Sequence, residues 1–541
     1  MEGGKRAARG PLKGMSPVVY LGAATLMVAM LLLGTLVSGE TARLLADLRE
    51  QINPFLAWYY VGLVAFILAF VLWLGVGRYK NVRLGGDLEQ PEFTLIPWLA
   101  MLFAAGTGVG LLFWSVAEPI LHLGDNPLVE AAGTPEAATA ALRLTFFHWG
   151  LSAWSVFAVV ALSLAYFAYR QGLPLTLRSA LHPLLGHRIH GTAGHLVDIF
   201  AVLATVFGVA TTLGFGAQQM ETGLSELLGI ERSQALQLAI IAAVTLAATA
   251  SVASGVRRGV RRLSELNLWL AVLLLVLFLV LGPTWQLFGY LLQAGGDYFQ
   301  NLISRSFWTG MDGHRDWHTE WTVFYWGWWI AWSPFVGMFI ARISRGRTLR
   351  EFVFGVLLLP AVFNFLWIAA LGGTAIDLEM NDTVAIAGAV QQDVTVALYR
   401  TIEALTSVEA LATGTAVLAT LLIAIFFITS ADSGTLVINT IMAYGDPSPP
   451  LRHRIAWGLG IGVLTAVLVV GGGTQTLQDA VIAAALPFSF IMLLMMAGVL
   501  KGLREERFAP REGIKHHLPE EPWTGVDTET ATWRAHEEER L

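Results

Sequence analysis

The stretch from Phe324 to Glu351 reads FYWGWWIAWSPFVGMFIARISRGRTLRE. It is an apolar run carrying Trp326, Trp328, Trp329 and Trp332 that passes through Pro334 into a basic turn with Arg342, Arg345, Arg347 and Arg350. A run of this length closed by arginines reads as a membrane-crossing helix with its positive end at the cytoplasmic face. The rest of the chain repeats the pattern. Hydrophobic residues make up 55% of the 541, charged residues only 14%, and the mean hydropathy is +0.61, the profile of an integral membrane protein.

Outward from that stretch, apolar runs of the roughly 20 residues needed to cross the hydrocarbon core lie near 17–37, 54–76, 95–117, 144–168, 193–217, 235–254, 266–288, 322–341, 352–371, 411–430, 455–471 and 478–500, which makes twelve. Alternate connections are basic: Arg78, Lys80 and Arg83; Arg170, Arg178 and Arg188; Arg257, Arg258, Arg261 and Arg262; Arg342 to Arg350; Arg452 and Arg454. The others carry Asp125, Glu130 and Glu136, or Asp377, Glu379, Asp382 and Asp393. The positive-inside rule then places both termini in the cytoplasm, and twelve spans satisfy that parity. The basic start (Lys5, Arg6, Arg9, Lys13) leads into a run too long for a signal-peptide core, so the first span is expected to stay in the membrane.

Between Gly289 and Arg305 apolar and polar residues alternate at helical spacing. Such a segment is too polar to span and is expected to lie along the outer interface. Beyond Lys501, acids and bases alternate, so a short charged helix followed by a poorly ordered end is expected. The divisions are thus 1–16 (cytoplasmic segment), 17–93 (two peripheral helices), 94–288 and 322–500 (two five-helix repeats), 289–321 (interfacial helix and external loop) and 501–541 (tail). The absence of cysteine excludes disulfides and thiolate chemistry. With no clustered histidines, no metal-spacing motif and no serine beside a base within a span, an enzyme is not expected.

Large π faces inside a span suit a cationic ligand that cannot donate hydrogen bonds, such as a quaternary ammonium group. Tyr325, Trp329 and Trp332 share a helix face at i, i+4 and i+7, and in the fourth span Trp154 and Phe157 do so at i and i+3, close to Trp149. His148 reads as a packing or hydrogen-bonding residue. In the third span Gly106-Thr107-Gly108-Val109-Gly110 interrupts an apolar helix, and Glu118-Pro119 closes it. No strand precedes it, so it is not a dinucleotide fingerprint. Spacing alone leaves two readings open, close helix packing through small residues or an unwound helix whose N–H groups face an anion while its carbonyls face a cation. The eighth span, with Gly327, Pro334 and Gly337, is the expected broken partner in a five-plus-five repeat. In the tenth, Phe426-Phe427-Ile428-Thr429-Ser430-Ala431-Asp432-Ser433-Gly434 offers hydroxyl and carbonyl oxygens that suit sodium, or hydroxyls that bond back to their own helix. Asp432 is costly in a membrane and calls for a partner.

On these residues the chain resembles the betaine/choline/carnitine transporters over nearly its whole length. The likeness is strongest in Phe324 to Glu351, with further matches in the third-span glycine motif and in Thr429 to Ser433. The resemblance implies an all-α polytopic membrane protein of twelve transmembrane helices, two inverted five-helix repeats as in LeuT-like carriers, preceded by two extra helices. It implies a homotrimer assembled partly through 289–305, in contact with membrane lipids of the bacterial cytoplasmic (inner) membrane and with no nucleic-acid partner. It also implies an aromatic box of Trp149, Trp154, Phe157 and Trp329 around a trimethylammonium group, with Trp328 and Trp332 lining the cytoplasmic path. Backbone at Gly106, Thr107 and Gly108 would face the substrate carboxylate. Ala104, Thr107, Phe426, Thr429 and Ser430 would form one sodium site, and Thr205 with the Phe335 neighbourhood part of a second. The chain departs from the betaine carriers at Phe157 (usually tyrosine), Thr107 (usually methionine) and Val209 (usually threonine). Gly110 stands where the family's proton-coupled choline carriers have an acid, which favours sodium. The expected activity is sodium-coupled symport of a zwitterionic osmolyte, glycine betaine first, by alternating access. Proton-coupled or ion-independent carriage of choline, carnitine, ectoine or dimethylsulfoniopropionate is the alternative within transport, and an osmosensor or receptor on the same fold the alternative outside it.

Overall fold

The computed structural model describes residues 6, 7, 9–36, 38–106, 108–254, 261–381 and 384–508. In chain order its helices are α1 (Pro17–Leu36), α2 (Ser38–Val76), α3 (Leu95–Gly106), α4 (Val109–Gly124), α5 (Pro135–Trp149), α6 (Leu151–Ala165), α7 (His182–Leu185), α8 (Thr192–Leu228) and α9 (Gln234–Ser254). There follow α10 (Arg261–Leu281), α11 (Thr284–Ser306), α12 (Arg315–His318), α13 (Phe324–Ile343), α14 (Leu349–Met380), α15 (Ile386–Gln392), α16 (Ala397–Ala404), α17 (Glu409–Met442) and α18 (Leu451–Phe508). Pairing outside helices is confined, among the described residues, to two isolated bridges, Ala7 with Lys13 and Arg83 with Thr348.

All twelve apolar runs fall on these helices. Among the described residues eight segments are singly long and apolar enough to cross a membrane, and α10 with α11 makes a ninth if that bent pair is one span. The protein is a multi-pass membrane protein. The α11 axis turns 109° from that of α10 at Gly282-Pro283, so α11 does not continue the span. It begins at Thr284, five residues before the sequence boundary of 289, buries Leu287, Ala294 and Tyr298, and exposes Trp285, Leu292 and Ile303.

Among the described residues, the basic connections around Arg83, Arg170, Arg345 and Arg452, the N-terminal segment and the end of α18 share one face. The Ser16 amide donates to the Met442 carbonyl at 2.7 Å, Arg6 pairs with Asp446, and Arg452 donates to the Gly10 carbonyl. At the far end of α18, Arg170 pairs with Glu506 at 2.8 Å and Lys501 donates to the Pro183 carbonyl. Arg178, ion-paired to Asp198 at 2.6 Å, stacks over Tyr444 and ties the two groups together. With both its ends on one face, α18 must turn back. It does so at Gly473, whose φ of +67° is a left-handed conformation open to glycine, between the apolar stretches Leu451–Gly471 and Gln475–Glu506. The charged helix expected after Lys501 runs to Phe508, and the rest of the tail lies outside the described residues.

Three expectations change in the structure. The third span breaks where the glycine motif stands, with α3 ending at Gly106 and an extended Gly108 capping α4, but Glu118-Pro119 does not close it. The helix continues through Pro119 to Gly124, and Gly372 of α14 packs against the Ser115 carbonyl that the proline leaves without its helical donor. The eighth span does not break: α13 is continuous from Phe324 to Ile343. Pro334 frees the Ile330 carbonyl, and the Ser333 hydroxyl donates to that carbonyl at 2.7 Å, so the helix loses no bond in a medium that offers no water. The fourth span, expected as one apolar run over 144–168, breaks at Gly150 between α5 and α6.

Candidate substrate site

Residues beside both breaks line a cavity of about 30 Å³, formed by Gly108, Gly110 and Leu111 of the third span, Trp149, Ala153, Trp154 and Phe157 of the fourth, Trp328, Trp329 and Trp332 of α13, and Asn364 of α14. Close helix approach makes the walls meet. A Cβ on Gly337 of α13 would lie 2.7 Å from Val160 Cγ1 of α6, so only glycine lets these two helices bring their rings together.

Trp329 is the centre of the aromatic set. Its ring is edge-on to Trp149 at 4.8 Å and to Phe157 at 5.8 Å, Phe157 is edge-on to Trp154 at 5.5 Å, and Trp328 stacks on Trp329 at 4.9 Å. Rings held perpendicular to one another turn several π faces toward one volume, the arrangement that attracts a diffuse cation. Trp328 and Trp332, both in the wall, carry buried indole N–H groups that have no hydrogen-bond partner among the described residues and so could serve an anionic group. A ligand with a soft cation at one end and a carboxylate at the other satisfies both.

Gly110 is part of the fit, because a Cβ there would lie 2.5 Å from Trp328 Cη2 and 3.5 Å from Trp149 Cη2. Trp328 cannot yield, being stacked on Trp329 on one side and on Phe324 at 5.5 Å on the other. Gly110→Ala is expected to lower substrate affinity by about tenfold, or ~1.4 kcal/mol, toward the lower end of the roughly 1 to 3 kcal/mol that overpacking costs. The apparent KM for uptake, normalised to protein in the membrane, measures it.

Behind the cavity lies a carboxylate network absent from the sequence reading. Glu118, fully buried, accepts from the Tyr325 hydroxyl at 2.5 Å, from His148 Nδ1 at 2.6 Å and from Trp149 Nε1 at 3.1 Å. Because a carboxylate only accepts, His148 carries a proton on Nδ1, and its Nε2 shares a hydrogen bond of 3.0 Å with the Thr322 hydroxyl. The histidines are scattered in sequence, yet the fold gathers His122 and His148 so that their ligand-type nitrogens and a Glu118 oxygen lie within 4.8 Å of one another. Three donors reach the glutamate oxygens and both His148 nitrogens are engaged, while His122 Nε2 lies 3.4 Å from Glu118 Oε1, so the cluster is a buried polar network centred on the carboxylate. His148 thus has the hydrogen-bonding role expected of it. Nearby, at the outer end of the site, burial first and the His148 imidazole second push His318 down to about 4, leaving it neutral at pH 7.

Seven of the nine substrate residues read from sequence line this one cavity, and Trp328 and Trp332 belong to it as fully as the box does. Gly106 ends α3, and Thr107 lies outside the described residues. Of the first ion group, Thr107 and the Ala104 side chain are likewise outside the described residues, while Phe426, Thr429 and Ser430 follow one another on α17. The Thr429 hydroxyl donates to the Ile425 and Phe426 carbonyls and accepts from Asn267 Nδ2 at 3.1 Å, which leaves it one lone pair. Of the second group, Thr205 donates back to the Ala201 carbonyl at 2.8 Å and Phe335 lies edge-on to Trp332 at 5.5 Å. Val209 is buried, and its methyl lies where a Cβ on Gly434 would be 2.7 Å away. Asp432 has its partners, the hydroxyls of Ser251 at 2.6 Å and Ser433 at 2.9 Å. Asn364 was missed: an isolated asparagine in an apolar run signals only that some partner exists, and the partner is the Trp149 carbonyl.

The model of the betaine/carnitine/choline family of transporters matches residues 18–508. The chain is 40% identical over 497 residues to a probable glycine betaine transporter of Desulfitobacterium hafniense, covering 91% of this chain and 98% of that one. It is 41% identical over 515 residues to the glycine betaine transporter OpuD of Bacillus subtilis (94% and 99%), and 42% identical over 490 residues to glycine betaine transporter 1 of Vibrio parahaemolyticus (89% and 92%). A match that spans nearly the whole chain, over a cavity built as described, identifies a membrane transporter and not an enzyme, and the chain belongs to the betaine/carnitine/choline transporter family.

Proposed function

We propose that the protein is a sodium-coupled symporter of a quaternary-ammonium osmolyte, glycine betaine foremost, working by alternating access in the cytoplasmic membrane of a bacterium with both termini inside. The single observation that carries the substrate is the aromatic wall of the cavity, in which Trp329 meets Trp149 and Phe157 at near right angles and so offers π faces to a trimethylammonium group. The names of the relatives point the same way. The carboxylate would turn toward Trp328, Trp332 and the backbone at Gly106, Thr107 and Gly108.

For the ion, the lone pair left on Thr429, the Phe426 carbonyl, Ser430 and backbone at Ala104 and Thr107 supply hard oxygen donors, which suit sodium. The second group fits poorly, because Val209 brings methyls where a donor is wanted and Thr205 is bonded to its own helix, so we favour one sodium per cycle. A betaine has no net charge, so the membrane potential acts on the accompanying sodium at ~2.3 kcal/mol per charge per 100 mV. The exposed apolar residues of α11, Trp285, Leu292 and Ile303, suit contact with lipid or with neighbouring copies in a trimer.

The test is uptake of labelled glycine betaine into proteoliposomes under an inward sodium gradient, with a potassium control and with choline, carnitine, ectoine and dimethylsulfoniopropionate as competitors. Accumulation above equilibrium is expected only with sodium, with a slope of one sodium per betaine. Thr429→Val is expected to raise the sodium concentration for half-maximal uptake by about tenfold, the equivalent of ~1.4 kcal/mol at one ligand. Equal accumulation in the potassium control would refute the ion assignment.

A further inference from the structure

The break between α5 and α6 frees main-chain groups at a depth where no water serves them. Gly150 has φ −93° and ψ −145°, off the helical path. The His148 carbonyl accepts from Trp329 Nε1 and the Trp149 carbonyl from Asn364 Nδ2, each at 2.9 Å. Both donors belong to the cavity wall. The third group, the Leu151 N–H, donates to the hydroxyl of Tyr298 at 2.9 Å, and Tyr298 comes from neither repeat but from the interfacial helix α11.

Tyr298 is held as closely as a cavity residue. It is 2% exposed on a helix where Trp285, Phe288 and Phe299 are open and Tyr290 is half-buried, and its ring is edge-on at 4.9 Å to Phe365, which stacks on Phe146 at 4.3 Å. A Cβ on Gly150 would lie 2.8 Å from the Tyr298 hydroxyl and 3.0 Å from Phe365 Cζ. The glycine therefore leaves room for the phenol as well as for the turn.

We infer that Tyr298 is a positioning residue for the substrate site. Trp149 stands before the break and Trp154 and Phe157 after it, so the angle between α5 and α6 sets where these three walls stand relative to one another. The phenol fixes that angle by holding the first free amide of α6. It also couples the site to α11, whose outer face meets whatever surrounds the protein. The inference rests on the reading of the cavity as the quaternary-ammonium site.

Tyr298→Phe removes one oxygen and keeps the ring on Phe365. The expected result in proteoliposomes is an apparent KM for glycine betaine raised about fivefold to tenfold, with Vmax within about twofold of the parent, because the walls are misaligned while the cycle is intact. Gly150→Ala, whose methyl would meet the Phe146 carbonyl at 2.5 Å and the same hydroxyl at 2.8 Å, disturbs the same turn, is expected to shift KM in the same direction and serves if the phenylalanine variant does not fold. A lowered Vmax at parental KM, or parental KM in both variants, would overturn the inference and leave the transport reading standing. No betaine uptake by the parent protein would overturn the transport reading and this inference with it.

Discussion

Trp329→Leu is expected to raise the apparent KM for glycine betaine by about a hundredfold while the protein remains in the membrane at near-parental levels. Two losses add. A well-placed, desolvated ring contributes about 1 to 2 kcal/mol to binding a quaternary ammonium, and leucine has no π face. The indole N–H also satisfies the His148 carbonyl at 2.9 Å, and a buried carbonyl left unpaired at the break costs roughly 1 to 3 kcal/mol. At 1.4 kcal/mol per factor of ten, a combined loss of about 3 kcal/mol is about two decades. Trp329→Phe separates the terms, since it keeps a face and loses only the N–H, and its KM should fall between the parent and the leucine variant. Uptake kinetics with both variants, normalised to membrane protein, decide it. Parental kinetics in Trp329→Leu would remove the aromatic box from the binding site.

The sequence made the spans and the box residues legible because both signals are local. Hydropathy accumulates along the chain, arginines mark alternate connections, and rings three, four or seven positions apart on one helix must face one way, as Trp154 with Phe157 and Trp329 with Trp332 do. What escaped was set by distant partners. Gly150 is one of 55 glycines, and its break is tolerated only because Tyr298, Trp329 and Asn364 arrive from three other helices. The eighth span reads as broken because Pro334 and two glycines are conspicuous, whereas the repair by the neighbouring Ser333 hydroxyl is a matter of rotamer. Glu118 reads as the end of a helix because proline follows it. Its donors lie 30, 31 and 207 residues away, a separation at which pattern has no power.

That glutamate carries the second large expectation. Glu118→Ala removes the acceptor shared by the Tyr325 hydroxyl, His148 Nδ1 and Trp149 Nε1, in a setting with no water to replace it. Breaking a buried charged network from one side costs about 3 to 5 kcal/mol, because the orphaned donors keep their desolvation penalty. That is a large fraction of the roughly 5 to 15 kcal/mol that separates folded from unfolded chains. The expected result is a marked fall in folded yield and in the detergent melting temperature, with the surviving protein impaired in uptake because Trp149 and Tyr325 lose their anchor. Glu118→Gln should fall between the two, since its carbonyl can still accept from two donors while its NH2 opposes the third. Fluorescence-detected size-exclusion yield and thermal unfolding measure the stability, and uptake by the remaining folded fraction measures the function. A Glu118→Ala variant that melts with the parent would mean that the three donors find other acceptors, and that the carboxylate is not what holds the back wall of the site.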